Sequence, residues 1–277
     1  MNAAIESLHF YPIKGCRGFA VEHATLAPTG LELHGVGDRE WVVVDEHGEF
    51  LSQRELPKMA LIETRLDSTA LRLKAPGMLA LEVPLASEGD VLPVTVWNDT
   101  LPAVTQGELT DAWFSRYLGQ PCRLMRFDPE ARRLSSAKYT DGMAAPYKFA
   151  DAFALLVVSA SAVADLNARL AQRGVPPVGV ERFRPNIVLS GVDAHEEDYA
   201  RSLRIGATEL RLVKPCVRCT VPSVDPATGE QGTEPGDTLA TYRDDARAGG
   251  VTFGMNGIVG NGGELRRGDT VAVELAF

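Results

Sequence analysis

The chain has 277 residues, of which 45% are hydrophobic and 23% charged, with a formal net charge of −9 and a pI near 5.1. No apolar run approaches the roughly 18 residues that cross a bilayer, so we expect no membrane association. The acidic balance argues against a general nucleic-acid role, because phosphate binding requires a clustered basic surface. The first residues, MNAAIESLHFYPIKG, lack the basic and apolar segments of a secretory signal, which predicts a cytoplasmic location.

Residues 1 to about 105 are predicted to form short strands. The run WVVVDEHGEFL indicates two strands joined by a turn at His47-Gly48. In the run LALEVPL, apolar and polar residues alternate, which predicts a strand whose apolar face is Leu79, Leu81, Val83 and Leu85. One short helix is predicted in TDAWFSRYLG, with Thr110 as its N-cap and a stop at Gly119.

The second half combines strands with a few helices. FADAFALLVVSASAVADLNARLAQRG predicts a buried strand and then a helix that Ser159 or Ser161 caps and Gly174 ends. RPNIVLSG, LRIGATELRLVKP and LRRGDTVAVELAF predict further strands, and a short helix is expected from Asp237. Closely spaced strands with helical insertions indicate a mainly β, α+β protein with barrel-like domains. A strand that runs into a charged segment near residues 120 to 135 suggests two domains, 1–125 and 126–277.

The segment KPCVRCTVPSVDPATG carries a CxxC motif, Cys216 and Cys219, directly after an apolar strand. A structural zinc site normally needs four nitrogen or sulfur ligands, but the five histidines are single and scattered. A thioredoxin-like dithiol would begin a helix, and Pro222 follows too soon for that. A single metal-binding thiolate and two ordinary cysteines beside a turn both remain open. Cys16 and Cys122 are predicted to be packing residues, since four cysteines are too few for a disulfide framework.

Four cations stand beside apolar strands or between the cysteines: Lys14, Arg39, Arg184 and Arg218. A partly buried cation requires an anion, which is either a carboxylate or a ligand phosphate. Taken singly, each cation is explained by a salt bridge. Taken together with a soft thiolate, they suit an anionic, metal-bearing cofactor. We therefore predict that the four side chains converge on one anion-binding pocket.

The motifs YPIKGCRG, DREW, FADAFALLVVS, RFRPNIVLSG, CVRCTVPSVDPATG and TLATYR follow one another along nearly the whole chain. They resemble the family in which an N-terminal MOSC β-barrel domain precedes a MOSC domain, as in the mitochondrial amidoxime-reducing component and its bacterial relatives. The resemblance implies an N-terminal β-barrel-like domain followed by a C-terminal MOSC β-barrel domain.

The resemblance also implies a molybdenum cofactor, in which molybdopterin carries the metal, with Cys219 as the metal-binding and catalytic residue. The pterin and its phosphate would be held by Lys14, Arg39, Arg184 and Arg218, with Asp151, Asn186, Val217 and Asn256 lining the same site. Two positions depart from the family pattern. Gly15 replaces a common serine, which removes a hydroxyl contact to the phosphate, and Met255 replaces a common glutamine, which removes a polar contact near the substrate entrance.

The implied activity is the reduction of small N-hydroxylated compounds at their N–O bond. Because no flavin, haem or iron–sulfur motif occurs in the sequence, the electrons are expected from a separate electron-transfer protein. Some bacterial relatives carry an additional ferredoxin domain, whose cysteines are missing here. The alternative is a non-enzymatic carrier of molybdenum cofactor or of persulfide sulfur on Cys219, and a protein with a purely structural CxxC is a third interpretation.

Overall fold

The computed structural model describes residues 3–86 and 88–276. In the first half the strands are β1 (Ala3–Phe10), β2 (Phe19–Val21), β3 (His23–Ala27), β4 (Gly30–Leu33), β5 (Val36–Gly37), β6 (Trp41–Asp45), β7 (Glu63–Leu66), β8 (Ala70–Lys74), β9 (Leu81–Pro84), β10 (Val91–Val96), β11 (Asp99–Thr105) and β12 (Cys122–Phe127). In the second half they are β13 (Leu155–Ser159), β14 (Ile187–Ser190), β15 (Ala200–Ile205), β16 (Thr208–Val217), β17 (Asp244–Asp245), β18 (Gly250–Asn261), β19 (Gly263–Arg266) and β20 (Thr270–Leu275).

The helical segments are short and stand between the strands. The α-helices are α1 (Glu108–Leu118), α2 (Ala160–Gln172) and α3 (Gly236–Ala240). Single 3₁₀ turns occupy Pro57–Leu61, Ala137–Tyr139, Val180–Phe183, Glu196–Tyr199 and Val221–Ser223. The fold is therefore mainly β with helical insertions, as predicted. Among the residues described, no helix has both the length and the apolar character that crossing a membrane requires.

Seven strands close into a barrel in the order β13-β14-β1-β20-β15-β16-β18. The ring closes because β13 pairs with β14 on one side and with β18 on the other. The first strand of the chain takes part in this barrel, since Ala4 pairs with Ser190 of β14 and Ala3 pairs with Val271 of β20. Strand pairing thus crosses the division expected at residue 125, which stays a prediction.

Two further strands extend the barrel sheet, since β2 pairs with β1 and β17 pairs with β18. The others form three smaller antiparallel sheets, ordered β10-β11-β12-β6, β19-β3-β4-β5 and β7-β8-β9. β19 comes from the end of the chain and pairs with β3, so both ends contribute strands to the opposite half. One continuous apolar cluster contains Phe10 and Trp41 from the first half and Leu155 and Ile187 from the second. The two halves therefore share one main core, and smaller apolar clusters pack separately from it.

Local boundaries agree with the sequence patterns at α2 and disagree at two other places. Ser159 caps α2, and its Oγ accepts a hydrogen bond from the backbone N–H of Ala162 at 3.2 Å. The prediction of Thr110 as an N-cap is wrong, because the N-cap of α1 is Gly107, three residues earlier, whose φ is 87°. The prediction for Leu79 is also wrong: β9 begins only at Leu81, and Leu79 is 88% exposed.

Candidate functional site

One cavity lies where the barrel meets the N-terminal sheets, and it encloses about 940 Å³ of space that is continuous with solvent. Cys219 and all eight positions predicted to bind a cofactor line it, namely Lys14, Arg39, Asp151, Arg184, Asn186, Val217, Arg218 and Asn256. They come from the loop after β1, the turn before β6, the loops before β13 and β14, the end of β16 with the loop after it, and β18. Residues far apart in sequence are thus brought together by strand pairing.

Lys14 forms an ion pair across the cavity wall with Asp151. Its backbone N–H donates to the carbonyl of Trp41 at 2.8 Å, and its Nζ donates to Asp151 Oδ1 at 2.5 Å. Burial lowers the pKa of Lys14 by more than the Asp151 carboxylate raises it. For Asp151, desolvation raises the pKa of the carboxyl group. The charge of the Lys14 ammonium and its hydrogen bond together lower that pKa by more, so it lies below its ordinary value. The carboxylate still opens onto the cavity, since 74% of its side chain is exposed.

Arg39 and Arg184 stand together on the ring of Tyr11, with guanidinium carbons 4.3 and 4.5 Å from the ring centroid. Both residues have left-handed backbones, with φ of 50° and 57°, a conformation that non-glycine residues seldom adopt. Such strain occurs mainly at functional sites, where the surrounding structure enforces it. Arg39 donates to Asp38 and, at 2.9 Å, to the backbone carbonyl of Arg184. Arg184 donates to the carbonyl of Cys16 at 2.6 Å.

Asn186 fixes the position of this arginine pair. Its side chain is buried, and its Oδ1 accepts from Arg39 Nη1 and from the backbone N–H of Leu156, both at 3.1 Å. The amide oxygen thus joins the turn before β6 to strand β13. Asn186 acts as a positioning residue for Arg39.

The cysteine loop begins where β16 ends. The backbone N–H of Arg218 donates to Val251 of β18 at 2.8 Å, which fixes the loop at the cavity. Arg218 Nη1 lies 3.0 Å from Cys216 Sγ, and Nη2 donates to the carbonyl of Phe183 at 3.0 Å. Cys219 is exposed, whereas Cys216 is half-buried. The arginine therefore engages the first thiol and leaves the second open to the cavity.

The four cations converge on this cavity, and two of them have carboxylate partners. Lys14 pairs with Asp151, and Arg39 pairs with Asp38. In the described part of the chain, Arg184 and Arg218 form no carboxylate salt bridge, and Arg184 Nη2 and Arg218 Nε are buried without any hydrogen-bond partner. Buried donors without partners are costly, so this half of the cavity wall fits an anionic ligand.

The two sequence departures have structural explanations. Gly15 lines the cavity with φ of 83°, where any side chain would be strained and a Cβ would come within 2.9 Å of Met59. Met255 packs in the main core at 4% exposure and does not line the cavity entrance, so the predicted loss of a polar contact there is wrong. Residues that the sequence did not indicate also form the wall, among them Phe50, Gln53, Arg54, Trp97 and Phe183.

Comparison with known proteins agrees with this architecture. Residues 2–121 match the family model described as the MOSC N-terminal beta barrel domain, and residues 144–272 match that of the MOSC domain. The rat mitochondrial amidoxime reducing component 2 is 33% identical over 96% of this chain and 82% of its own length. The human mitochondrial amidoxime-reducing component 1 is 32% identical over the same shares. A molybdenum cofactor sulfurase from Solanum lycopersicum is 32% identical over 91% of this chain but only 32% of its own length.

These matches cover both halves of the chain, and the amidoxime-reducing components align over most of their own length. The chain therefore belongs to the family of MOSC-domain proteins with an N-terminal MOSC β-barrel domain, which includes the mitochondrial amidoxime-reducing components.

Proposed function

We propose that this protein binds a molybdenum cofactor in the cavity and reduces small N-hydroxylated compounds at the N–O bond. The observation that carries the proposal is the shared cavity of four cations and the exposed thiol of Cys219. The names of the relatives support the same chemistry, because they refer to amidoxime reduction and to molybdenum cofactor.

The residues present fit a phosphate-bearing pterin. Arg184 and Arg218 each keep a buried, unpartnered N–H group among the residues described, and charge-assisted bonds to a phosphate would satisfy both. Lys14 and Arg39 would complete the anchoring, with Asp151, Asn186, Val217 and Asn256 lining the same site. Cys219 would supply the thiolate ligand, since sulfur suits a soft metal and its side chain is exposed. When bound, the cofactor would supply the two-electron redox chemistry.

The chain's own contribution is to hold and orient the groups that would bind the cofactor. Asn186 holds Arg39 at 3.1 Å, and the contact of Arg218 with Cys216 fixes the loop that carries Cys219. The overall reaction converts an N–OH group to N–H and releases water, so it consumes two electrons and two protons. Protons reach the reacting group through the solvent-open cavity.

A separate protein is proposed as the electron donor. An iron–sulfur cluster needs several thiolates, and the four cysteines are divided between two core positions and two cavity positions. The relatives are described as components of an amidoxime-reducing activity, which agrees with a divided system. Their names also refer to mitochondria, whereas the cytoplasmic location of this chain stays a prediction.

Serine substitutions at the two cavity cysteines test the proposal. Serine is a poor replacement for a metal-binding thiolate because its hydroxyl is harder and far less acidic. We expect Cys219→Ser to lower N-hydroxyamidine reduction with an artificial reductant by at least about a hundredfold, with the thermal unfolding midpoint preserved. Cys216→Ser is the matched control: the serine hydroxyl can still accept from Arg218, and the backbone bond of Arg218 to Val251 is kept, so this variant should keep molybdenum and most of the activity.

Molybdenum and pterin content are measured on the same samples. Equal loss of activity in both variants would indicate a paired-ligand or dithiol role. Equal retention of activity would show that Cys219 is not the metal-binding residue. Persulfide sulfur on Cys219 in wild-type protein without molybdenum would favour the carrier function instead.

A further inference from the structure

Two aromatic side chains form the part of the cavity wall beside Lys14, whose Nζ lies 5.3 Å from the ring centroid of Phe50 and 6.0 Å from that of Trp97. Phe50 and Trp97 both line the cavity, and their ring centroids lie 4.9 Å apart at an interplanar angle of 57°. We refer to this pair as the aromatic wall. Trp97 is 44% exposed, whereas Trp41 and Trp113 are buried at 0% and 7%. An exposed indole in a cavity leaves apolar surface available to a ligand.

The backbone of Trp97 has a conformation that normally requires glycine. Trp97 and Asn98 are the two residues between Val96 and Asp99, which pair at the end of the β10–β11 hairpin. Trp97 has φ of 60°, and a two-residue hairpin loop with positive φ at its first residue favours glycine there. A bulky side chain at positive φ is a genuine outlier, and such outliers are concentrated at functional sites.

The indole is held in place by neighbours on the cavity wall. Its Nε1 donates to Asp151 Oδ1 at 3.0 Å, the same oxygen that receives Lys14. The guanidinium carbon of Arg54 lies 4.5 Å from the ring centroid. One hydrogen bond and one stacked cation therefore orient a side chain that would otherwise rotate freely at a hairpin tip.

From the strained backbone, the exposed ring and the fixed orientation, we infer that Trp97 is a specificity-determining residue that stacks against a flat conjugated group of the substrate. The inference rests on the proposed function and names the substrate class: aryl N-hydroxyamidines, preferred over alkyl ones. Lys14 and Arg54 lie beside the aromatic wall, and the surface of Trp97 that stays exposed is available to an uncharged planar group. A conjugated amidine joined to an aryl ring offers a π-face that an alkyl compound lacks.

Intrinsic fluorescence reports binding without any turnover. N-hydroxybenzamidine should quench the fluorescence of Trp97 saturably, and N-hydroxyacetamidine should not. Glycine suits the φ of 60°, so we expect Trp97→Gly to retain the fold. Because this variant lacks the fluorophore, its binding is measured by isothermal titration calorimetry, and its affinity for N-hydroxybenzamidine should be about tenfold weaker than that of the wild type. Trp113→Phe is the matched control, because Trp113 is buried on α1 and does not line the cavity; it should leave the quenching and the activity unchanged.

Steady-state kinetics then measure selectivity. The ratio of kcat/KM for N-hydroxybenzamidine to that for N-hydroxyacetamidine should fall about tenfold in Trp97→Gly, the loss expected for one stacking contact. In Trp97→Phe, which keeps an aromatic face, the ratio should stay within about threefold of the wild type.

An unchanged ratio in Trp97→Gly, or no saturable quenching in the wild type, would overturn the inference. Loss of molybdenum from Trp97→Gly would also overturn it, because Trp97 would then contact the cofactor. If the wild type reduces neither compound but calorimetric binding of N-hydroxybenzamidine depends on Trp97, the proposed reaction fails while the aryl-binding role of Trp97 stands.

Discussion

The four cysteines show how environment gives one residue type different roles. Cys16 and Cys122 are buried in the core, where desolvation raises the pKa of Cys16 to about 12 and that of Cys122 to about 11. Cys219 is exposed at the cavity, and Cys216 is half-buried beside Arg218. Only the cavity pair is therefore accessible to a metal or a reagent.

Alkylation measures this difference directly. With a raised pKa, a thiol stays protonated until the pH approaches that value, and the protonated form is a poor nucleophile. At pH 8, iodoacetamide should label Cys219 in the native protein and leave Cys16 and Cys122 unmodified, as peptide mass spectrometry would show. Denatured protein is the control and should be labelled at all four cysteines. Native labelling of Cys16 at the rate of Cys219 would contradict the burial described here.

At the scale of elements, periodicity predicted β13 and α2 well because both bury a continuous apolar face. It failed at the start of α1, where a glycine with φ of 87° precedes the helix and Thr110 lies inside its first turn. It also failed at Leu79, since alternation alone cannot show where pairing stops: β9 pairs with β8 only from Leu81 onward. Helix and strand ends depend on neighbours that local sequence does not contain.

The lining of the cavity was predictable where charged residues stand beside apolar runs. Lys14 and Arg184 stand out beside apolar strands, and the resemblance to a family supplied Asp151, Asn186 and Asn256. Phe50 and Trp97 were not predictable, because aromatic residues in hairpins are common and only the tertiary pairing brings these two rings to one wall. The involvement of β1 in the C-terminal barrel was hidden for the same reason.

The cap of α2 gives a prediction at this scale. In Ser159→Ala, the backbone N–H of Ala162 would lose its acceptor in a fully buried position, which should lower the free energy of unfolding by about 1 kcal/mol. The matched control is Ser136→Ala, at the start of the 3₁₀ turn Ala137–Tyr139, where the side chain makes no cap bond; its effect should stay within about 0.5 kcal/mol. Urea denaturation midpoints at an unchanged slope measure both. Equal midpoints in the two variants would contradict the capping role.

For the whole molecule, the cavity and the barrel depend on the same joining of the two halves. The cavity takes Lys14 and Arg39 from the first half and Arg184, Arg218 and Cys219 from the second. It concentrates cations in a chain whose formal net charge is −9, so attraction of an anion is local to the cavity. Because β1 leads directly into the loop that carries Lys14, pairing of β1 with β14 and β20 also positions this cation.

The barrel of the second half contains one strand, β1, from the first half. A fragment of residues 126–277 contains the complete matched MOSC domain but lacks β1, which lies between β14 and β20. Without it, both strands would expose unpaired backbone groups and the core would lose Leu8 and Phe10. We expect the fragment to show no cooperative thermal unfolding by circular dichroism and poor dispersion of its amide NMR signals. A synthetic peptide of residues 3–22, added to the fragment, should restore both signals, whereas the same peptide with Leu8 and Phe10 changed to Asp should not. Cooperative unfolding of the fragment alone would mean that the second half folds as an independent domain and that its barrel does not require β1.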